Sequence, residues 1–237
     1  MQRVKAADNL RTVLAACGVI APLLFVVLVL VAAGQYDGYN HAEQAISELG
    51  GAGADESIVQ NTNFFIVGVL IMAFAGGLCG GIRHTGASRL GPLLIVIFAL
   101  SAGVGNALLP CDPGCEFEST KGSLHNITGL AGFLSAVAGM LLISGGLKQD
   151  ERWRSLHPYT LVTVVAALVS LAVWIGSKAN DLESVDGLLQ RIFLGIWLLW
   201  IEVMALRLLW ISRSREIVGG RRRSGGEVAP VDEATAG

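Results

Sequence analysis

The chain has 237 residues, of which 53% are hydrophobic and only 15% are charged, and its mean hydropathy is +0.60. A soluble domain carries about 25% charged residues, so these values exclude a disordered chain and argue against an ordinary soluble enzyme. Four cysteines exclude a disulfide-dense mini-protein, and a net charge of −2 gives no sign of a nucleic-acid binder.

Six stretches of the sequence are apolar enough to cross a membrane. A helix needs about 20 apolar residues to span ~30 Å of hydrocarbon, and charges inside such a span are costly. Five stretches contain no charged residue, and the sixth contains Glu202 and Arg207. A cleaved signal peptide is the alternative for the first stretch, but its apolar part is long for one. We therefore predict an all-α bundle of six transmembrane helices, near 14–34, 63–82, 92–110, 127–147, 160–177 and 188–211.

The distribution of basic residues predicts the orientation of this bundle. Fourteen of the 17 lysines and arginines lie on the side that holds both termini, and the other three are Lys121, Lys178 and Arg191. Because cytoplasmic loops carry the excess of Lys and Arg, we predict a multi-pass protein of the cell membrane with both termini in the cytoplasm. The predicted outer loops are 35–62, 111–126 and 178–187.

The C-terminal end differs in composition from the rest of the chain. Residues 213–237 are polar and contain two Gly-Gly pairs, three consecutive arginines and an acidic end. Such a segment cannot bury a hydrophobic core. We therefore predict a membrane domain at 1–212 and a disordered cytoplasmic tail at 213–237.

The first predicted outer loop carries a candidate amphipathic helix. A capping-box pattern that starts at Asn40 predicts a short helix at about 41–49, which lies on the outer membrane face. At ~100° per residue, His41 and Glu48 would share one face of this helix, with Ser47 on its polar side. Two interpretations stay open: a solvated polar face, or a His/Glu pair directed at a pocket over the bundle.

The second predicted outer loop contains two cysteines. Pro113 and Gly114 suit positions i+1 and i+2 of a type II turn, which would bring Cys111 and Cys115 close together. Outside the cytoplasm such a pair tends to oxidise. We therefore predict a disulfide, with free thiols and metal ligation as the alternatives.

The start of the predicted fourth helix supplies further polar groups. His125 and Asn126 open this helix, and the geometry of the loop puts His125 near Asp112. We predict that both groups converge with His41 and Glu48 on one outward-facing site, which would be the catalytic set of an enzyme. The competing interpretation is two separate capping histidines without a shared pocket.

Glu202 is the carboxylate inside the sixth predicted span. It lies about fourteen residues into the helix, or ~20 Å from its outer end at 1.5 Å per residue. Since a lipid-facing carboxylate is costly, we predict that Glu202 faces the bundle, either protonated or paired with Ser, Thr or Trp donors. Arg207 is predicted to extend toward the cytoplasm. Ser47, Asn126 and Glu202 are the candidate binding residues.

Three sequence motifs together resemble one family. They are Ile46-Ser47-Glu48-Leu49-Gly50, Pro110-Cys111-Asp112-Pro113-Gly114-Cys115 and His125-Asn126. In this order they resemble domain of unknown function 998 (DUF998), an uncharacterised family of multi-pass membrane proteins. The resemblance covers nearly the whole chain up to the sixth helix and implies a six-helix membrane protein, but it carries over no activity, substrate or cofactor. The residues that match its motif-bearing positions are His41, Ser47, Glu48, Asp112 and His125. Glu116 follows Cys115 where the family pattern leads us to expect proline.

Two functions remain open at this point. We favour a membrane protein that binds a lipid or a membrane partner at its outer face, with the bilayer itself as one partner and no nucleic acid. The alternative is a membrane-embedded hydrolase or transferase, in which histidines and carboxylates act as acid and base or hold a metal ion such as zinc. Whether the protein is an enzyme stays open, because the sequence has no compact motif such as HExxH or GxSxG.

Overall fold

A computed structural model describes residues 2–54, 56–83, 86–178 and 183–224. Within these residues the structure is helical and has no strand. Six of its helices include a segment that is long and apolar enough to cross a membrane, which confirms the predicted all-α fold. They are α1 Gln2–Gly34, α2 Ser57–Gly81, α3 Gly86–Leu108, α4 Thr120–Gln149, α5 Leu156–Lys178 and α6 Asp186–Ser224.

The helices form a ring in which neighbours along the chain pack against each other. α2 packs on α1 and α3, α4 packs on α3 and α5, and α6 packs on α5 and returns to α1. Short connections between antiparallel helices produce this order. We call the end that carries loops 35–56 and 109–119 the outer end, after the predicted orientation, and the end that carries loop 150–155 the inner end.

Close backbone contact between α2 and α3 depends on a pair of glycines. A Cβ atom on Gly103 would lie 2.9 Å from the Cα of Gly68. In lipid the hydrophobic effect does not drive helices together, so small residues that allow tight packing stabilise the bundle. This contact therefore fixes how closely the two helices approach.

α3 is irregular where it passes this contact. It begins as a 3-10 turn at Gly86–Leu90 and an α-helix at Gly91–Phe98, widens into a π-helix at Ala99–Gly105, and ends as α-helix at Asn106–Leu108. π-helical turns are rare and often occur at functional sites. Here the wide turn brings Ala102 and Gly103 to the wall of an internal pocket.

The predicted short helix of the first loop is present but shorter than 41–49. Residues 41–43 form turns, and a 3-10 helix spans Ile46–Gly50. Its start is set by two side chains: Gln190 accepts a 2.6 Å hydrogen bond from the N–H of Ile46, and Glu48 accepts a 2.7 Å bond from the N–H of Ala45. His41 consequently lies outside this helix and does not share a helix face with Glu48.

The sixth helix is longer than predicted. Its backbone continues to Ser224, past the predicted boundary at 212, and its apolar span is Asp186–Ser214. Residues 225–237 lie outside the described residues. The predicted division into a membrane domain and a disordered tail stays a prediction.

Candidate functional site at the outer end

A pocket lies inside the bundle directly below the first loop. Its volume is about 50 Å³, which holds a few water-sized groups and is well below the ~300–1,000 Å³ typical of sites that enclose a whole ligand. Ile46 and Ser47 form its roof, and α1, α2, α3, α4 and α6 supply its walls. Among the described residues that line it, none is charged, and the aromatic ones are Phe25, Phe64, Phe98, Phe133 and Trp197.

Two buried polar side chains of α6 line this pocket. Gln190 is 5% exposed, and its Oε1 accepts a hydrogen bond from the N–H of Ile46. Trp197 is 2% exposed, and its Nε1 lacks a partner within the described part of the chain. Because buried polar groups are almost always paired, the N–H of Trp197 is a donor that a bound molecule could pair.

The first loop is docked on α6 by Arg191. Its guanidinium donates hydrogen bonds to the backbone oxygens of Gln44 (2.9 Å) and Gly187 (2.8 Å) and to the hydroxyl of Tyr39 (2.6 Å). His41 is the fourth partner, with Nδ1 3.2 Å from Arg191 Nη2. Since arginine cannot accept a hydrogen bond, Nδ1 of His41 is the acceptor here. The structure thus places His41 at the rim of the first loop.

Tyr39 and Glu48 belong to the same group of hydrogen bonds. The Tyr39 hydroxyl donates to the backbone oxygen of Ala45 (2.9 Å), and Glu48 accepts from the side-chain amide of Gln44 (3.2 Å). Burial raises the pKa of the Tyr39 hydroxyl, although the neighbouring Arg191 lowers it. Tyr39 therefore stays a neutral donor, and Glu48 acts as the cap of the 3-10 helix.

A disulfide joins Cys111 and Cys115 in the second loop, as predicted, with their Cα atoms 4.9 Å apart. The turn is closed by a 2.8 Å hydrogen bond from the Cys115 N–H to the Asp112 oxygen. Gly114 has a φ of +66°, the left-handed conformation that position i+2 of a type II turn requires. The Pro-Gly sequence therefore gives the predicted turn.

Asp112 connects this turn to the start of α4. Its carboxylate accepts hydrogen bonds from the hydroxyl (2.6 Å) and N–H (2.7 Å) of Ser119 and from the N–H of Glu118 (3.1 Å). Ser119 is the N-cap of α4, and its Oγ accepts from the N–H of Gly122. These bonds, those from Ser119 first, hold the pKa of the Asp112 carboxyl below its ordinary value. Asp112 is thus an ionised group that orders the loop.

His125 and Asn126 fix the second loop from the other side. His125 is 3% exposed, and its Nδ1 lies 2.6 Å from the backbone oxygen of Leu109. The Asn126 amide donates to the backbone oxygen of Cys115 at 2.9 Å. Because a backbone oxygen can only accept a hydrogen bond, Nδ1 of His125 is the donor in this contact.

The structure brings some of the predicted site residues together and leaves others apart. A ring nitrogen of His125 and the sulfurs of Cys111 and Cys115 lie within 4.8 Å of one another. The two outer loops also touch, because the N–H of Ala52 donates to the oxygen of Cys111 at 2.8 Å.

No hydrogen bond between described residues joins His41 or Glu48 to Asp112 or His125. Each of the four side chains bonds instead to a group nearby in its own network. The predicted shared site of these four residues stays a prediction, as does a metal bound there.

Glu202 lies deeper in α6 than the pocket. Its Oε2 is buried and has no hydrogen-bond partner among the residues that the structure describes. Arg207 reaches the inner end, where its guanidinium donates to the backbone oxygen of Arg152 (2.8 Å from Nε) and lies over the ring of Trp210. Arg207 therefore points to the end of the bundle that carries loop 150–155, and that this end is cytoplasmic stays a prediction.

Three residues of this region were missed by the sequence analysis: Tyr39, Gln190 and Trp197. Gln190 had a weak signal, because it is a polar residue in the first turns of an apolar helix. No signal in the sequence distinguished Trp197, because tryptophans are common in membrane helices. Arg191 was noticed only as one of three basic residues on the outer side.

These features define a multi-pass helical membrane protein with a polar outer end and an apolar pocket beneath it. Residues 19–207 match the family described as Protein of unknown function (DUF998). The match covers most of the chain, so the protein belongs to this family and the resemblance is confirmed. No curated protein and no solved structure matches the chain.

Proposed function

We propose that this protein binds a lipid at its outer end, with the end of one alkyl chain in the pocket below the first loop. The observation that carries the proposal is the pocket itself, an uncharged and largely apolar space roofed by Ile46 and Ser47. Trp197, near its deep end, lies about 11 residues from the start of α6, or ~16 Å. The pocket therefore occupies one half of a ~30 Å hydrocarbon layer, where lipid chains are the available ligands.

The affinity of such a pocket comes from packing and hydrogen bonds. An alkyl chain is already out of water in the bilayer, so moving it into the protein gains little hydrophobic free energy. Close contact with the apolar walls and pairing of the unsatisfied Trp197 N–H are the sources of binding free energy that remain. A selective site therefore needs both a matching shape and a matching polar group.

The proposal includes a location and an orientation. We propose that the protein lies in the cell membrane with both termini in the cytoplasm, so that the pocket opens toward the outer leaflet. The excess of Lys and Arg on the opposite side supports this orientation. The disulfide of the second loop also supports it, because disulfides persist outside the cytoplasm.

Filling the pocket tests the proposal. Leu194 lines the pocket, whereas Leu199 is 59% exposed on the outside of the same helix. We expect Leu194→Trp to reduce the lipid that co-purifies with the protein about tenfold, which corresponds to ~1.4 kcal/mol of binding free energy. Native mass spectrometry after mild detergent extraction measures the amount of co-purified lipid. Leu199→Trp is the matched control and should retain the wild-type amount, and equal retention by both variants would contradict the proposal.

The hydrolase or transferase remains the alternative. It requires His41, Glu48, Asp112 and His125 to act together, whereas the observed hydrogen bonds of Asp112 and Glu48 cap backbone N–H groups. Since these contacts have a structural explanation, we place lipid binding first. Metal analysis of the detergent-purified protein tests the metal-dependent form of the alternative.

A further inference from the structure

A polar depression lies at the inner end of the bundle, where loop 150–155 meets the end of α2. It is open to the surface, and its volume is about 530 Å³, within the ~300–1,000 Å³ typical of ligand sites. Every described residue that lines it is polar or charged: Arg83, Gln149, Asp150, Glu151, Arg152 and Arg154. Because the depression lies at the opposite end from the pocket below the first loop, its ligand is independent of the lipid proposed there.

Buried contacts hold the loop that forms this depression. Trp153 is fully buried, and its indole N–H donates to the backbone oxygen of Gly81 at 3.1 Å. Asp150 is 5% exposed, and its carboxylate accepts the N–H of Arg83 at 3.0 Å. These bonds attach loop 150–155 to the end of α2, so the depression is formed before a ligand binds, as is usual for ligand sites.

The charges that line the depression leave a positive excess. Arg152 forms an ion pair with Asp150, in which Nε lies 3.0 Å from Oδ1 and Nη2 lies 2.6 Å from Oδ2. This pair cancels one positive and one negative charge. Arg83, Arg154 and Glu151 then contribute two positive charges and one negative charge, a net charge of +1, and all three are exposed. An anion is therefore the ligand whose charge complements the depression.

Arginine side chains favour a phosphate among the possible anions. The planar guanidinium presents N–H donors that fit two phosphate oxygens at once, and these charge-assisted hydrogen bonds are stronger than neutral ones. Arg207 of α6 adds a further positive charge beside the loop, because its Nε lies 2.8 Å from the backbone oxygen of Arg152. Two exposed guanidinium groups with a third nearby thus suit a phosphate group.

The depth of the depression indicates where this phosphate comes from. α2 ends at Gly81 and α4 ends at Gln149, so Arg83 and Arg154 follow directly on the ends of two apolar spans. The polar layer of a bilayer extends about 5–7 Å beyond the hydrocarbon on each side, and lipid phosphates lie in that layer. Basic pockets between membrane helices on the cytoplasmic side bind anionic head groups.

We infer that this depression binds the phosphate of an anionic phospholipid head group, and that Arg83 and Arg154 donate hydrogen bonds to it. The inference goes beyond the lipid binding proposed for the outer end, because it concerns a different site and a different part of a lipid. A free phosphate ion has the same chemistry, and the experiment below separates it from a lipid.

Two phospholipids with identical acyl chains test the preference for an anionic head group. Phosphatidylglycerol has a net negative charge, whereas phosphatidylcholine carries the same phosphate beside a cation. We expect the delipidated full-length protein in a neutral detergent to bind phosphatidylglycerol about tenfold more tightly, which corresponds to ~1.4 kcal/mol. Titration followed by native mass spectrometry measures both affinities. Equal binding of the two lipids would overturn the inferred ligand class.

Two double variants separate this site from the general positive charge of the inner end. Arg83→Gln/Arg154→Gln removes both guanidinium groups and keeps the backbone N–H groups that bond Asp150. We expect it to weaken phosphatidylglycerol binding about tenfold, or ~1.4 kcal/mol, and to leave phosphatidylcholine binding unchanged. Arg89→Gln/Lys148→Gln is the control, since it removes the same charge from exposed residues outside the lining of the depression. An equal loss in both variants would overturn the site.

Inorganic phosphate distinguishes the two sources of the ligand. We expect an excess of inorganic phosphate to leave the binding of phosphatidylglycerol nearly unchanged, because the acyl chains keep the lipid in the detergent micelle beside the depression. Inorganic phosphate that binds as tightly as phosphatidylglycerol and displaces it would overturn the lipid as the source.

The inner site and the outer pocket can be tested apart. Leu194→Trp fills the outer pocket and should leave phosphatidylglycerol binding unchanged, so a loss in this variant would overturn the separate inner site. The amount of lipid lost on filling the outer pocket is compared in the Arg83→Gln/Arg154→Gln background, where the inner site retains little lipid. Failure of that comparison would contradict the function proposed for the outer end and leave the inner site standing.

Discussion

At the scale of single residues, Arg191 decides whether the first loop stays on the bundle. Its side chain donates to the backbone oxygens of Gln44 and Gly187 and to the hydroxyl of the half-buried Tyr39. Hydrogen bonds from a charged donor are stronger than neutral ones, and the acceptors would be left unpaired if the guanidinium were removed. Arg191 thus holds in place the roof of the pocket.

We predict that Arg191→Met lowers the free energy of unfolding by about 2–3 kcal/mol, because charged hydrogen bonds contribute ~1.5–3 kcal/mol. Thermal unfolding in detergent measures the loss, and limited proteolysis should cut the first loop faster. Lys121→Met is the control, since Lys121 is exposed at the start of α4 and surface substitutions usually change stability by less than about 0.5 kcal/mol. An equal effect of the two substitutions would contradict the role given to Arg191.

The stability that Asp112 gives to the second loop depends on pH. Hydrogen bonds from Ser119 depress the pKa of its carboxyl in the folded protein below the ordinary value of 3.8. Its stabilising contribution is therefore complete above pH 3.8 and is lost as the pH falls through the depressed folded-state pKa.

We predict that Asp112→Asn is less stable than the wild type at neutral pH, and that the difference narrows as the pH falls below 3.8. Thermal unfolding of both proteins, from neutral pH to below pH 3.8, measures the difference in stability. Asp150 at the inner end also has a depressed pKa. Because it is present in both proteins, its effect on stability cancels in the difference between them. A difference that stays constant with pH would show that the charge of Asp112 is not what stabilises the loop.

At the scale of elements, the six helices could be predicted because the rule behind them is local. A run of about 20 uncharged apolar residues is enough to specify a span, and all six predicted spans overlap observed helices. The first loop depends on distant residues. Its 3-10 helix starts at Ile46 because Gln190, 144 positions away in the sequence, accepts the N–H of Ile46. No local pattern contains that contact.

The α2–α3 contact gives a test with a control glycine on α2. Gly103→Ala would force its Cβ against the backbone of Gly68, so the helices must separate. We predict a loss of about 1–3 kcal/mol, as expected for overpacking, measured by thermal unfolding. Gly76→Ala on α2 meets nothing within 4 Å and should be neutral or slightly stabilising, because alanine favours the helix. A stable Gly103→Ala protein would show that this contact is not tight.

At the scale of the whole molecule, the sequence revealed where polar residues gather but not how they pair. The polar motifs of the first two outer loops predicted a candidate site at the outer end, and a disulfide and an ordered second loop are there. The pocket was missed, because its lining residues come from five helices and none of them is unusual alone. Convergence of apolar side chains across a bundle is a tertiary property that span prediction does not address.

The orientation of the whole molecule is the last prediction. Asp37 is exposed in the first loop at the outer end, and Glu151 is exposed in the α4–α5 loop at the inner end. In a background whose native free cysteines are replaced by serine, we predict that an impermeant maleimide labels Asp37→Cys in intact cells. Glu151→Cys should react only after permeabilisation, because cytoplasmic loops carry the excess of Lys and Arg. Reversed labelling would place the pocket in the inner half of the membrane and would require its ligand to come from the cytoplasmic leaflet.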